Sequence, residues 1–183
     1  MTEREKMLAQ MPYDPTDKEL VEMRTYARKM CKEFNECDVE DNNKKTKILK
    51  ELFGSTGNDI YIEPSFRCDY GKNIYVGENF YANFNCVILD VAEVRIGKNC
   101  MIAPNVAIYT ATHPIDPIER NSGIEYAKKI TIGDNCWLGG NSVICPGVTI
   151  GNNVVVGAGA VVTKSFGDNV VIAGNPAKVI KTI

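Results

Sequence analysis

Residues 130–162 read ITIGDNCWLGGNSVICPGVTIGNNVVVGAGAVV, and the period of that stretch decides the fold. Ile132, Leu138, Ile144, Ile150, Val156 and Val162 recur at every sixth position, and Gly133, Gly139, Gly151 and Gly157 directly follow four of them. Four positions after the aliphatic residue the side chain is small or slender: Cys136, Ser142, Val148, Val154 and Ala160. Neither the period of a helix nor the alternation of a long strand gives this spacing. A hexapeptide period marks a parallel β-helix, in which each unit is a short strand and a turn and three units close one coil of about 18 residues. The aliphatic side chain then points into a triangular prism and the small one fills the tight space beside it. Glycine and asparagine, as in Gly133-Asp134-Asn135 and Gly151-Asn152-Asn153, supply permissive backbone at the corners. Stacked coils pair as parallel sheets around one column of aliphatic side chains.

The same step extends upstream through Ile96, Ile102 and Ile108, through Val76, Ala82 and Ile88, and through Ile62 and Cys68. Cys86, Cys100 and Val106 occupy the small slots there. The phase slips by two residues before Val76 and again before Ile96. Between Ile108 and Ile132 the rule is suspended: Pro114, Asp116, Pro117, Glu119, Arg120, Asn121, Ser122 and Gly123 have no place in a prism wall. Residues 109–129 therefore read as a loop thrown out from a coil corner, and loops of that length are usually either functional or disordered. The chain's only histidine, His113, lies in this loop.

Before the repeats the pattern is helical. The first 60 residues carry 24 of the 44 charged side chains. Thr16-Asp17-Lys18-Glu19 has the form of a capping box with Thr16 as N-cap, and Leu20, Met23, Ala27, Met30 and Phe34 follow on one helical face. A second helix is predicted over Lys44–Phe53, stopped by Gly54. The expected organisation is a helical cap over 1–57, a β-helix over 58–167 carrying the loop 109–129, and a tail over 168–183. After Val162 the chain is expected to leave the prism.

Composition narrows the functional classes. A net charge of −2 gives no reason to propose nucleic acid or an anionic membrane as partner. No run of about 18 apolar residues is present to span a bilayer. The first ten residues are charged and lack an apolar signal core, so a cytoplasmic protein is expected. The seven cysteines include no Cys-x-x-Cys pair, which favours reduced packing residues over a disulfide framework or a zinc site.

Four further motifs are Asn83-Phe84-Asn85, Thr112-His113-Pro114, Ile132-Gly133-Asp134-Asn135-Cys136-Trp137-Leu138-Gly139 and Ala173-Gly174-Asn175-Pro176-Ala177-Lys178. With the helical segment before them, they resemble the maltose and galactoside O-acetyltransferases of the hexapeptide-repeat family, and the wording around Leu89-Asp90-Val91 is nearer the maltose type. The resemblance implies a left-handed parallel β-helix with an N-terminal α-helical cap and an extended active-site loop. It further implies a homotrimer with active sites between subunits, acetyl-coenzyme A as co-substrate, a sugar acceptor, and no metal.

Residue by residue, His113 matches the family's general base, and a neutral imidazole can take the proton of a hydroxyl as it attacks a thioester. Asn83 matches a group near the acceptor and the developing oxyanion. Tyr81 and Asp90 match the sugar-contacting neighbourhood, and Asp14, Arg24 and Asp69 match it more loosely. Trp137, Gly140, Ala158, Thr163, Lys164, Lys178 and Lys181 match coenzyme-contact positions. The galactoside type has Ser where Asp69 stands, a second Asp where Val91 stands, and often Arg in place of Lys178 and Lys181. Two alternatives stay open: a non-sugar hydroxyl acceptor such as an antibiotic or amino acid, and a non-catalytic β-helix assembly module. A metal-dependent hydratase on this fold would want three histidines.

Overall fold

Three parallel sheets form the walls of the prism in a computed structural model that describes residues 1–183. The first sheet stacks Ile60–Ile62, Phe80–Ala82, Met101–Ile102, Trp137–Leu138, Val155–Val156 and Val170–Ala173. The second stacks Arg67–Cys68, Val87–Leu89, Ala107–Tyr109, Val143–Ile144 and Val161–Val162. The third stacks Ile74–Val76, Val94–Ile96, Ile130–Ile132 and Thr149–Ile150. Register follows the repeat: Ile132 lies opposite Ile96 on one side and Ile150 on the other. Each inward aliphatic from Ile132 to Val162 is 0–1% exposed, and so are the small slots from Cys86 to Ala160.

The corners divide their work differently from the sequence reading. Asn79, Asn99, Asn135, Asn153 and Asn169 take the left-handed backbone, with φ of 56–59°. Their side chains form a ladder: Asn79 donates to Asn99 at 3.2 Å, Asn99 to Asn135 at 3.0 Å, Asn135 to Asn153 at 3.1 Å and Asn153 to Asn169 at 2.8 Å. The repeat glycines serve close stacking instead. A Cβ on Gly133 would sit 2.5 Å from Asn152 Oδ1 and 2.7 Å from the Gly151 carbonyl carbon of the next coil. Asparagine tolerates the left-handed region because its amide can bond locally, which frees glycine for the tight approach.

Two boundaries are corrected. The segment after Val162 does not leave the prism: Val170–Ala173 pairs in parallel with Val155–Val156, and Ile172 is fully buried. Lys178–Thr182 then returns antiparallel on Val170–Ala173. The cap has three helices, α1 (Glu3–Leu8), α2 (Lys18–Asn35) and α3 (Asn42–Leu52), where two were expected. Asp17, not Thr16, caps α2 and accepts the N–H groups of Glu19 and Leu20. Thr16 is drawn away because Asp14 accepts both its N–H and its hydroxyl. Asp41 caps α3, which begins two residues before the predicted start.

The cap closes one end of the prism. Phe34 of α2 and Leu49 and Leu52 of α3 belong to the same apolar cluster as the prism column, and Phe53 meets Phe66 with ring centroids 5.6 Å apart. Each such fully buried side chain is worth about 1.5–3 kcal/mol. That burial makes a stable unit of helices too short to persist alone. No helix is long and apolar enough to cross a membrane.

Candidate active site

The loop that interrupts the repeat is ordered from its base upward. Ala111–Thr112 pairs antiparallel with Tyr126–Ala127, and Lys128 N–H donates to Thr110 O at 2.9 Å. Thr110 is itself buried; its hydroxyl donates to Leu89 O at 2.6 Å and accepts from Ala92 N–H at 2.9 Å. A short helix, α4 (Pro117–Asn121), sits at the tip, capped by Asp116. His113 follows the outgoing strand directly, so a two-stranded base welded to the coil fixes its backbone.

Two cavities meet at His113. One, of about 430 Å3, is lined by Tyr13, Arg24, Arg28, Asp69, Tyr70, Glu125 and His113. The other, of about 630 Å3, is lined by His113, Tyr126, Lys128, Lys129, Gly147 and Thr149. The first is rich in paired polar groups. Arg24 donates to Tyr70 Oη at 2.7 Å and to Pro15 O at 2.6 Å. Tyr13 donates to Glu125, and the two residues also exchange backbone hydrogen bonds of 3.2 Å each way. Burial lifts the Asp69 carboxyl above its ordinary range, while Arg24 and Arg28 pull it back.

Asp90 does not line this cavity. It is fully buried, and its Oδ1 accepts the backbone N–H groups of Asp69 at 3.0 Å and Tyr70 at 2.9 Å. Burial pushes its carboxyl up to about 8, against those N–H groups. The structure thus corrects its expected role from contacting a sugar to holding the residues that do the lining. Asp14 Oδ1 accepts the N–H and hydroxyl of Thr16 in the turn before α2, and Pro15 and Thr16 of that turn line the cavity. Arg24, Asp69 and His113 line the same cavity.

The remaining expected residues lie on other parts of the prism. Tyr81, Trp137 and Lys181 share one outward row of the first sheet, which runs Tyr61, Tyr81, Met101, Trp137, Val155, Val171, Lys181. Tyr61 and Tyr81 stack with centroids 5.9 Å apart, and Trp137 is 49% exposed. Lys178 lies opposite Ala173 on the last two strands. Asn83 opens the corner after the first sheet, where Phe84, Pro104, Gly140 and Ala158 stack in successive coils through N–H bonds from Asn105, Asn141 and Gly159. Thr163 and Lys164 follow the second sheet, on the same corner as Asp69 and the His113 loop. Asn83 and His113 therefore stand at opposite edges of the second sheet, with the turn at Phe84-Asn85 and the strand Val87–Leu89 lying between Asn83 and the far corner.

Residues 6–57 match the maltose acetyltransferase hexapeptide capping motif, and residues 129–164 match the hexapeptide repeat of succinyl-transferase. A solved maltose O-acetyltransferase from Clostridium difficile 630 superposes with a TM-score of 0.99, at 54% identity, over 100% of this chain and 98% of that one. The chain belongs to the maltose and galactoside O-acetyltransferase family. It is an acetyltransferase. A galactoside acetyltransferase solved in complex with coenzyme A gives a TM-score of 0.97 at 42% identity, over 100% of this chain and 92% of that chain. The galactoside O-acetyltransferase of Escherichia coli is 44% identical over 90% of this chain and 81% of its own length.

In this O-acetyltransferase, sequence reasoning missed Tyr13, Arg28, Tyr70 and Glu125. Tyr70 had a signal, since it follows Asp69 on the corner row. Tyr13 and Glu125 had none: they meet only because the cap's leading segment crosses the loop in an antiparallel bridge, 112 residues away.

Proposed function

We infer that this acetyltransferase moves the acetyl group of acetyl-coenzyme A to a hydroxyl of a sugar, with His113 as general base. The observation that carries the reading is the place of His113 on the wall between two cavities. The smaller one offers carboxylates, guanidinium groups and phenols, the groups that recognise several hydroxyls at once. The larger one runs toward Lys128 and Lys129, which suit an anionic co-substrate. A hydroxyl held in the first cavity gives its proton to the imidazole as its oxygen attacks the thioester carbonyl, and the coenzyme thiolate leaves. No acyl-enzyme is needed. Cys86 is a poor nucleophile in any case: it is fully buried, and burial pushes its thiol up to about 12.

The second part of the reading is assembly. Asn83, in the oxyanion role, stands with Tyr81, Trp137, Gly140, Ala158, Lys178 and Lys181 on one strip of the prism. His113 stands with Arg24, Asp69, Thr163 and Lys164 on the other. A site that needs both strips is completed when the His113 edge of one chain meets the Asn83 edge of the next, and a head-to-tail contact of that kind closes as a ring. We assign a homotrimer on that ground and on the family's likeness.

The test is coenzyme thiol release from acetyl-coenzyme A with a panel of sugars, simple alcohols, amino acids and hydroxylated antibiotics. Release that depends on a sugar supports the reading. Release with a non-sugar hydroxyl alone would replace the acceptor, and no release with any of the sugars would overturn the sugar reading.

A further inference from the structure

Outside the site just described, two thiols face each other across the joint between cap and prism. Cys31 of α2 and Cys68 of the second sheet bring their Sγ atoms to 3.6 Å. Cys100 and Cys136 also neighbour each other, but inside the sealed column, where they donate to the carbonyls of Gly133 and Gly151, each at 3.1 Å, and Cys86 lies alone in its slot. Cys31 and Cys68 are only 5% and 7% exposed, yet both line a cavity of about 520 Å3 together with Arg28, Asn35, Arg67 and Asp69. A small oxidant reaches thiols that line such a space, whereas thiols sealed in the column are closed to it. The Cys68 thiol, bonded to its neighbour, holds Cys31 below the usual thiol range, helped by Arg67.

We propose that Cys31 and Cys68 are a peroxide-responsive dithiol that closes to a disulfide, fastening the cap to the prism and narrowing the acceptor cavity. The Cys31 thiolate attacks one oxygen of hydrogen peroxide and becomes a sulfenic acid as hydroxide leaves. The Cys68 sulfur then displaces that oxygen, so that two thiols and one peroxide give one disulfide and two waters. The sulfurs must close to about 2.05 Å. Arg28 lies one turn before Cys31 on α2, and Asp69 directly follows Cys68, so closure draws these opposite charges toward each other. Both line the acceptor cavity as well as this one.

The experiment uses the full chain, reduced and desalted, then exposed to hydrogen peroxide near stoichiometry. Intact mass is expected to fall by about 2 Da, the two hydrogens lost. Peptide mapping should find Cys31 joined to Cys68, and dithiothreitol should restore the thiols. The thermal midpoint of the oxidised form should rise by roughly 5–10 °C. Added oxygen on these cysteines, a crosslink between another pair, or free Cys31 and Cys68 after the half-buried Cys37 and Cys145 are consumed would overturn the proposal. In steady-state assays the Michaelis constant for the acceptor should rise severalfold on oxidation while turnover changes little. This last readout rests on the acceptor reading of the cavity, whereas mass and mapping do not. A confirmed crosslink with an unchanged Michaelis constant would overturn the narrowing.

Discussion

Asp90 grips Tyr70 from inside the prism wall, accepting its backbone N–H at 2.9 Å, while the Tyr70 phenol points the other way to meet Arg24 at 2.7 Å. One residue is thus fastened by its main chain to the scaffold and by its side chain to the cap. The cavity beside His113 inherits its shape from that double attachment.

The attachment has a pH signature. The Asp90 carboxyl is raised to about 8 in the folded chain, against about 3.9 when unfolded. The folded state therefore binds this proton more tightly, so stability falls as pH rises through that window, by at most about 1.4 kcal/mol per unit, and levels off above it. Asp90→Asn removes the titration and turns an amide donor toward the Asn73 N–H, which Asp90 Oδ2 accepts at 3.3 Å. The thermal midpoint of the parent should exceed that of Asp90→Asn most clearly near pH 5, and the gap should narrow or reverse by pH 8. A constant gap across that range would show that Asp90 is ionised throughout.

His113→Ala should leave fold and assembly intact, because His113 is exposed and follows a base that Thr110 secures without it. The acetyl-transfer rate should fall by about 10²–10⁴-fold, the usual worth of a positioned base. The loss should appear in turnover, with Michaelis constants little changed. A folded variant that keeps most of its turnover would remove His113 from the base role.

The division of the site between two edges predicts complementation. His113→Ala and Asn83→Ala chains should each be weak alone. Co-refolded in equal amounts, they should recover up to about a quarter of parental activity, since that share of head-to-tail contacts joins an intact His113 to an intact Asn83. Light scattering should give three chain masses; a value of one chain mass, 20.2 kDa, would sink the assignment. No recovery from a trimeric mixture would place both groups on one chain.

The column itself is tested by two neighbouring changes. Ile150 is 1% exposed, so Ile150→Asp buries an unpaired charge and should yield aggregated or unfolded protein. Asn152 is exposed and its Oδ1 accepts the Asp134 N–H at 2.8 Å. Asn152→Asp keeps that acceptor and should shift the midpoint by about 1 kcal/mol or less in stability. Equal midpoints for the two variants would mean that the repeat phase is misread.

The prism was legible in the sequence because its determinants are periodic and local: an inward aliphatic, a small partner and a corner residue, every six positions. His113 was legible because the loop breaks that period. What stayed hidden is contact between distant segments. Nothing near Tyr13 announces Glu125, and nothing near Asp90 shows that its carboxyl is folded inward under Tyr70 rather than outward to a ligand. The end of the prism was misjudged for a related reason. Ile172 is inward, but it is 16 residues from Val156 rather than 18, so the last coil falls out of phase with the repeat.

The paired base of the loop also bears on evolvability. Register in the prism is set by Ile108 below and Ile130–Ile132 above, and the hairpin at Ala111 and Ala127 seals the gap between them. The exposed part carried above that seal, from Ile115 to Gly123, can change in length and chemistry without disturbing a single rung. New acceptors can therefore be explored by drift in the excursion while the scaffold's thermodynamic margin stays untouched, which relaxes the usual exchange of stability for activity.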